Sequence, residues 1–269
     1  MTKRGNGWRW LITVVLVGVI LYCGAQILMI VDQYRREATL HQELLRYRPD
    51  SAASATTVET QPHSGALSTQ ALNSIEQPRP LNQGILDLRA RNADVVGWLT
   101  ILGTVIDYPF VQAADNNHYL ARDINGDSSA AGTLFLDCRN DRAFSDFSTI
   151  IYGHHMKNGS MFGQLARFID EAFFTEHRDG TIWLEDRAFS LEIFACMLIS
   201  ADNEVIYQTL QLERRAQGLF FDYVAQNAQR YREIGLEPGD LLVTLSTCAY
   251  DFSNARYVVI ARMTEENQA

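Results

Sequence analysis

The sequence predicts a mainly β domain with peripheral helices, in the form of an eight-stranded β-barrel preceded by an N-terminal transmembrane helix. Two observations predict the barrel: eight short strand-like runs, several rich in β-branched or aromatic residues, and a single long helical pattern before the last two of them. A third observation, an uncharged apolar stretch near the N-terminus, predicts the membrane helix.

The apolar stretch covers residues 10–31 and follows a short basic segment, residues 1–9. At about 22 residues it is long enough to cross the hydrocarbon core of a bilayer. A cleaved signal peptide is the alternative, but no clear small-x-small cleavage site follows Val31, so an uncleaved anchor is predicted. Basic residues flank the stretch on both sides, which leaves only a slight bias toward a cytoplasmic N-terminus.

Residues 32–83 are predicted to connect the anchor to the folded domain. Asp32–Tyr47 has a helical pattern and is expected to continue the membrane helix outward. Residues 49–82 are dominated by Ser, Ala, Thr, Gln and Pro, which bury little apolar area, so a flexible linker with a reach of roughly 30 Å is expected. The folded domain is predicted at 84–263, with a short tail at 264–269.

The strand-like and helical runs follow one another through this domain. The predicted strands are Val96–Leu102, Val105–Val111, Gly132–Asp137, Thr149–Tyr152, Gly180–Glu185, Phe189–Ser200, Asp240–Cys248 and Arg256–Met263. The predicted helices are Ile85–Asn92, Met161–Ile169 and Glu213–Glu233, the last with apolar residues at helical spacing.

Composition excludes several classes of function. The formal net charge is −9 and no basic cluster is present, which argues against a nucleic-acid partner. Four cysteines occur, and no CxxC or Cys/His spacing predicts a structural metal. Outside the membrane helix lie Cys138, Cys196 and Cys248, which cannot all pair, so at least one thiol there is free. Cys138 and Cys196 are expected to be buried, unpaired thiols.

Cys248 ends the predicted strand Asp240–Cys248, which begins with the apolar run Leu241-Leu242-Val243. In a regular strand it shares one face with Thr244 and Ser246, and that face is expected to be polar and partly open. Taken alone, Cys248 fits a buried, inert strand thiol better than a nucleophile. Arg256 changes this balance, because it opens the next run after a short loop, and a hairpin would bring it near Cys248. Its charge would favour a thiolate and stabilise an oxyanion; a solvated edge charge is the alternative.

His154 and His155 follow the strand-like run at 149–152 and Gly153. Successive residues of an extended segment point to opposite faces, so only one of the two is expected to meet Cys248. A histidine near a thiol can act as acid or base near neutral pH. A thiol, an imidazole and a fixed cation are the minimum parts for cysteine acyl transfer. Loop histidines without a role are the alternative, and no suitably spaced third ligand supports a metal.

One further loop carries several acidic residues. The segment Asp137–Asp146 contains three aspartates, but their spacing lacks an EF-hand pattern. A solvated loop is therefore expected there rather than a calcium site.

The segment Thr244-Leu245-Ser246-Thr247-Cys248 resembles the TLxTC signature of the sortases, the membrane-anchored cysteine transpeptidases of Gram-positive bacteria. The wider pattern resembles class B sortases over about residues 84 to 263. The matching segments are residues 94–99, 106–112, 132–137, 151–156 and 254–259, in that order along the chain.

The resemblance implies a role for each candidate residue. Cys248 matches the nucleophile and Arg256 the catalytic arginine. His154 matches the catalytic acid and base, because the family histidine directly follows the glycine. The resemblance also implies an eight-stranded barrel, a cytoplasmic N-terminus, an extracellular catalytic domain and no metal or organic cofactor.

The implied reaction is transpeptidation. Exported surface proteins would be cleaved at a C-terminal sorting motif through a thioester on Cys248, and an amine of the cell-wall precursor or of a pilin would accept the acyl group. A cysteine endopeptidase resolved by water and a catalytically silent, membrane-tethered binding module remain alternatives. The sorting motif is not readable from the chain, although a recognition loop is expected at Asn203–Leu212.

Overall fold

The computed structural model describes residues 7–49, 81–208, 210–248 and 254–266. The chain divides into two compact units, residues 1–43 and 44–269. Most of the predicted linker lies outside the described residues, as does the connection that follows Cys248.

The first unit is formed by a single long helix, α1 (Gly7–Leu44). Its most apolar part is uncovered by protein, and one helical stretch, Trp8–Tyr47, is long and apolar enough to cross a membrane. The predicted continuation past Val31 is confirmed, because α1 runs on to Leu44 and a 3-10 helix, Leu45–Tyr47, follows.

Among the described residues, nine strands form the sheet of the second unit. They are β1 (Val95–Ile101), β2 (Asp107–Val111), β3 (Leu134–Leu136), β4 (Ser148–Gly153), β5 (Asp179–Trp183), β6 (Ala188–Ser200), β7 (Arg230–Tyr231), β8 (Leu241–Cys248) and β9 (Ala255–Glu265). All except β7 correspond to a strand predicted from the sequence.

The sheet closes on itself because β5 pairs with both β1 and β6. The order around the barrel is β1-β2-β3-β4-β8-β9-β6-β5, and β7 pairs with β6 as a short additional strand. Neighbours are antiparallel except for β2 with β3 and β4 with β8, which are parallel. The predicted eight-stranded barrel is therefore confirmed.

Within the described part of this unit, four α-helices accompany the barrel: α2 (Gln83–Arg91), α3 (Glu171–Glu176), α4 (Glu204–Tyr207) and α5 (Arg214–Asn227). The first matches its prediction and is capped by Asn82, whose side chain accepts a hydrogen bond from the backbone of Ile85. The predicted extent of α5 was wrong at its C-terminal end. Tyr231 fits the helical spacing, but it lies in β7, pairs with Ala195 and packs edge-on against Phe194.

The helix predicted at Met161–Ile169 was also too long, because only a 3-10 helix at Leu165–Ile169 forms. Met161 has a φ of 52° and forms an isolated β-bridge with His155, so the chain turns back at this point instead of coiling. Asp170 then caps the missed helix α3 by accepting a hydrogen bond from the backbone of Phe173.

Alternate residues of the strands face two different cores. Val243 and Leu245 of β8 point into the barrel interior, whereas Leu242 faces a second cluster beneath α4 and α5. Leu242 and Ser246 of β8 thus lie on the side of the sheet that α4 and α5 cover.

Candidate active site

Three strand ends meet at one edge of the barrel. β4 and β8 run parallel, and Gly153 lies opposite Thr247. The residues that come next along the sequence, His154 after β4 and Cys248 at the end of β8, therefore lie at the same edge. β9 runs antiparallel to β8 and places Arg256 opposite Cys248. The fold therefore brings together the backbones of the three residues that the sequence pointed to.

A cleft of about 180 Å³ opens at this edge. His154 and Arg256 line it. The other lining residues are Asn116, Leu120, Phe135, Tyr152, Gly153, Ser246 and Thr247. Because Cys248 directly follows two of the lining residues on β8, a nucleophile at this strand end would act at the cleft.

The imidazole of His154 is oriented by a backbone group. Its Nε2 atom lies 2.5 Å from the carbonyl oxygen of Leu120, in the 3-10 helix His118–Ala121. A carbonyl only accepts hydrogen bonds, so Nε2 carries the hydrogen and Nδ1 is the nitrogen that remains for proton exchange. Sequence reasoning missed Leu120, since nothing in its side chain marks the role of its carbonyl.

Gly132 permits this close approach. It has a φ of 60°, and a Cβ atom there would lie 2.8 Å from the Leu120 carbonyl oxygen and 3.2 Å from Cδ2 of His154. Any side chain at this position would push on both partners of the His154 hydrogen bond.

His155 faces away from the cleft. Its ring lies 6.0 Å from that of Tyr257, a residue packed against the barrel core, and its backbone bridges to Met161. The alternation of an extended segment thus separates the two histidines, with His154 in the cleft and His155 outside it.

Arg256 is half-buried, and its Nη1 atom donates to the carbonyl oxygen of Ala255 at 2.9 Å. Within the described parts of the chain, no carboxylate forms an ion pair with it. Its remaining donors can therefore serve an anionic group in the cleft.

The face of β8 that Thr244 and Ser246 form is more enclosed than the sequence suggested. Thr244 is fully buried and Ser246 is 1% exposed, so the expectation of a partly open face was wrong for these two positions. Tyr207 of α4 covers Ser246, and the two hydroxyl oxygens lie 2.8 Å apart. The recognition loop expected at Asn203–Leu212 thus begins with a helix that touches the cleft.

A buried acidic residue lies beneath the cleft. Asp137 is fully buried and Asp146 is 3% exposed, so the expectation of a solvated loop at Asp137–Asp146 was wrong for both. The hydroxyl of Tyr152 donates to Asp137 at 3.0 Å. Burial and this carboxylate raise the pKa of Tyr152 well above its ordinary value, so its hydroxyl stays protonated. The one sequence signal for the burial of Asp137 is Arg139 two residues later, which forms an ion pair with it.

In the second unit, Cys138 and Cys196 are free thiols. Cys196 is fully buried, as expected, and burial raises the pKa of its thiol to about 12, which makes it unreactive. Cys138 is exposed, so its expected burial was wrong. It follows Asp137 at the end of β3, and its backbone is held by the side chain of Asn116.

The chain is similar to several characterised proteins. No family model matches it. It is 35% identical to sortase B of Listeria monocytogenes over 182 residues, which are 66% of this chain and 72% of that protein. Its fold is similar to the crystal structure of Clostridium perfringens sortase B, with a TM-score of 0.63 and 32% identity over 66% of this chain and 98% of that one.

A second solved structure is similar to the same extent. It is a Streptococcus pyogenes class B sortase involved in pilus biogenesis, with a TM-score of 0.62 and 35% identity over 66% of this chain and 96% of that one. With the closed barrel and the cleft at the ends of β4, β8 and β9, these similarities show that the chain belongs to the class B sortases, which are cysteine transpeptidases.

Proposed function

We propose that the chain cleaves a sorting motif near the C-terminus of exported proteins and transfers the acyl group to an amine. Cys248 is the nucleophile, His154 the general acid and base, and Arg256 the oxyanion donor. The observation that supports this proposal is the convergence of three strand ends: His154 and Arg256 line one cleft, and Cys248 directly follows two lining residues on β8.

The first half-reaction makes a thioester. The Cys248 thiolate attacks the carbonyl carbon of the scissile peptide bond, and negative charge develops on the carbonyl oxygen. Arg256 donates hydrogen bonds to that oxyanion. The carbon–nitrogen bond then breaks, and His154 gives the proton on Nδ1 to the leaving amine. The acyl group remains on sulfur, and His154 is left neutral.

The second half-reaction uses an incoming amine. Its nitrogen attacks the thioester carbon, while neutral His154 accepts the proton that the amine must lose. The carbon–sulfur bond breaks, a new amide forms, and the thiolate of Cys248 and protonated His154 are restored. Atoms and charge therefore balance over the cycle without a metal or an organic cofactor.

The proposed substrates and acceptors are molecules found outside the cell membrane, where the catalytic domain would lie. Helix α1 anchors the chain in the cell membrane, with a cytoplasmic N-terminus and an extracellular catalytic domain. The amine acceptor is a cell-wall precursor or a pilin. The similar Streptococcus pyogenes class B sortase is involved in pilus biogenesis, which supports a pilin as one of the two acceptors.

Product analysis tests this proposal. The full chain in detergent micelles would be incubated with a library of sorting-motif peptides, with and without an oligoglycine amine, and the products identified by mass spectrometry. A peptide joined to the amine is expected. Hydrolysis alone, unchanged by the amine, would indicate the endopeptidase, and peptide binding without cleavage would indicate the silent module.

A matched pair of variants assigns the nucleophile in the same assay. Cys248→Ala is expected to abolish both cleavage and transfer. Cys138→Ala removes an exposed thiol that does not line the cleft, and it is expected to leave both rates unchanged.

A further inference from the structure

We propose that Asp137 and Arg139 are positioning residues, whose ion pair anchors the segment carrying Tyr207 and so shapes the substrate-binding surface beside Cys248. This inference rests on the proposed function, since it requires a peptide substrate in the cleft. It assigns a role to two residues that take no part in the chemical steps.

Asp137 is held from several directions at the end of β3. It accepts hydrogen bonds from Nε of Arg139 at 2.8 Å, from Nη2 at 2.7 Å and from the Arg139 backbone at 3.0 Å, in addition to the Tyr152 hydroxyl. A fully buried carboxylate is costly unless it is paired in this way. Burial by itself raises the pKa of Asp137, but Arg139 and Tyr152 outweigh it and lower the pKa below its ordinary value.

Arg139 extends this anchor to α4. Its Nη2 atom also donates to the carbonyl oxygen of Tyr207 at 2.9 Å, and its Nη1 atom donates to Oε1 of Gln208 at 3.1 Å. One guanidinium thereby joins the end of β3 to a segment almost seventy residues later in the chain. Lysine could not reproduce this arrangement, because it lacks the planar fork of donors.

Tyr207, which Arg139 anchors, contacts two residues that line the cleft. The ring of Tyr207 stacks on that of Tyr152, with centroids 6.4 Å apart and planes at 18°. Its hydroxyl bonds to Ser246, two residues before Cys248. Both Tyr152 and Ser246 line the cleft. Asp137 thus holds Tyr152 directly, and Arg139 holds the Tyr207 that lies against it.

The catalytic groups are held by other contacts. His154 is oriented by the Leu120 carbonyl, and Arg256 bonds to the Ala255 carbonyl. Loss of the Asp137–Arg139 pair is therefore expected to disturb peptide binding much more than the chemical steps. A pair with a purely structural role would instead lower stability without this selectivity.

Steady-state kinetics of the full chain would separate the two roles. Arg139→Met, which removes the donors but keeps the aliphatic stem, is expected to raise KM about tenfold while kcat changes less than about threefold. Arg139→Lys should fall between it and the wild type. Arg187→Met is the matched control, because Arg187 is half-buried and paired with Asp186 away from the cleft, and it should leave KM unchanged.

Hydrogen exchange supplies a readout that needs no substrate. Amides of residues 204–208 are expected to exchange about tenfold faster in Arg139→Met and at the wild-type rate in Arg187→Met. A fall in kcat at constant KM, or unchanged exchange at 204–208, would overturn the inference.

If the wild type cleaves no peptide, the proposed function fails, whereas the exchange comparison still decides whether Arg139 anchors residues 204–208. Should Arg139→Met not fold, Tyr207→Phe must raise KM instead, and an unchanged KM overturns the inference.

Discussion

The Nε2 atom of His154 lies 2.5 Å from the backbone carbonyl oxygen of Leu120. This contact sets which nitrogen of the imidazole faces the chemistry, because the hydrogen on Nε2 leaves Nδ1 for exchange with the substrate. The contact depends on a glycine at position 132, since a Cβ there would crowd both partners.

Gly132→Ala is therefore expected to reduce kcat/KM by at least about tenfold, through displacement of the imidazole. Gly126→Ala is the matched control. Gly126 also has a positive φ, of 87°, but among the described residues no atom beyond its chain neighbours lies within 4 Å of the place that a Cβ would take. The left-handed backbone should cost both variants about 1–2 kcal/mol of unfolding free energy. Gly132→Ala should lose more than this, because its Cβ would also lie 2.5 Å from the carbonyl oxygen of Tyr119. Equal losses of activity in the two would show that strain, not His154, is responsible.

Arg256→Met is expected to lower kcat by about 10²–10³, the usual effect of removing one oxyanion donor, and to leave the fold intact. Arg262→Met on the same strand tests the specificity of this loss. Arg262 pairs with Glu192 and Asp240 rather than lining the cleft, so its removal should affect stability and spare kcat. Thermal unfolding and turnover measured on both variants check this; similar kcat values for Arg256→Met and the wild type would remove Arg256 from the mechanism.

The buried Asp137 is expected to make stability depend on pH. Its pKa is lower in the folded state than in the unfolded state, so its stabilising contribution is fully present above the unfolded value, about 3.9, and is lost as pH falls through the folded value. The difference in unfolding free energy between the wild type and Asp137→Asn should thus be largest near neutral pH and shrink below about pH 4. Urea titrations over this range measure it, and a difference that does not change with pH would contradict the assignment.

Much of the barrel could be predicted from the sequence. Both faces of several strands pack against apolar clusters, so these strands are recognisable as short, mostly apolar runs. The run at 189–200 is one example: β6 covers Ala188–Ser200 and pairs with β9 over almost its whole length. The spacing between Cys248 and Arg256 was equally informative, since a strand connection of that length returns the chain beside itself.

Other features depend on contacts that no local pattern contains. Tyr231 continues the helical spacing of α5, yet pairing with β6 places it in a strand. Asp137 lies in a polar segment and becomes fully buried only because Arg139 and Tyr152 satisfy it. The partner of His154 is a backbone carbonyl, and the side chain of Leu120 gives no sign of it.

Cys248 is expected to carry the acyl group of the substrate, and trapping that intermediate is the most direct test of the proposed reaction. The full chain would be incubated with a cleavable sorting peptide in the absence of an added amine, quenched in acid, digested and analysed by mass spectrometry. We expect an acyl adduct on the peptide that contains Cys248, which disappears when an amine is added before the quench. An adduct on Cys138 instead, or cleavage that persists in Cys248→Ala, would contradict the assignment of Cys248 as the nucleophile.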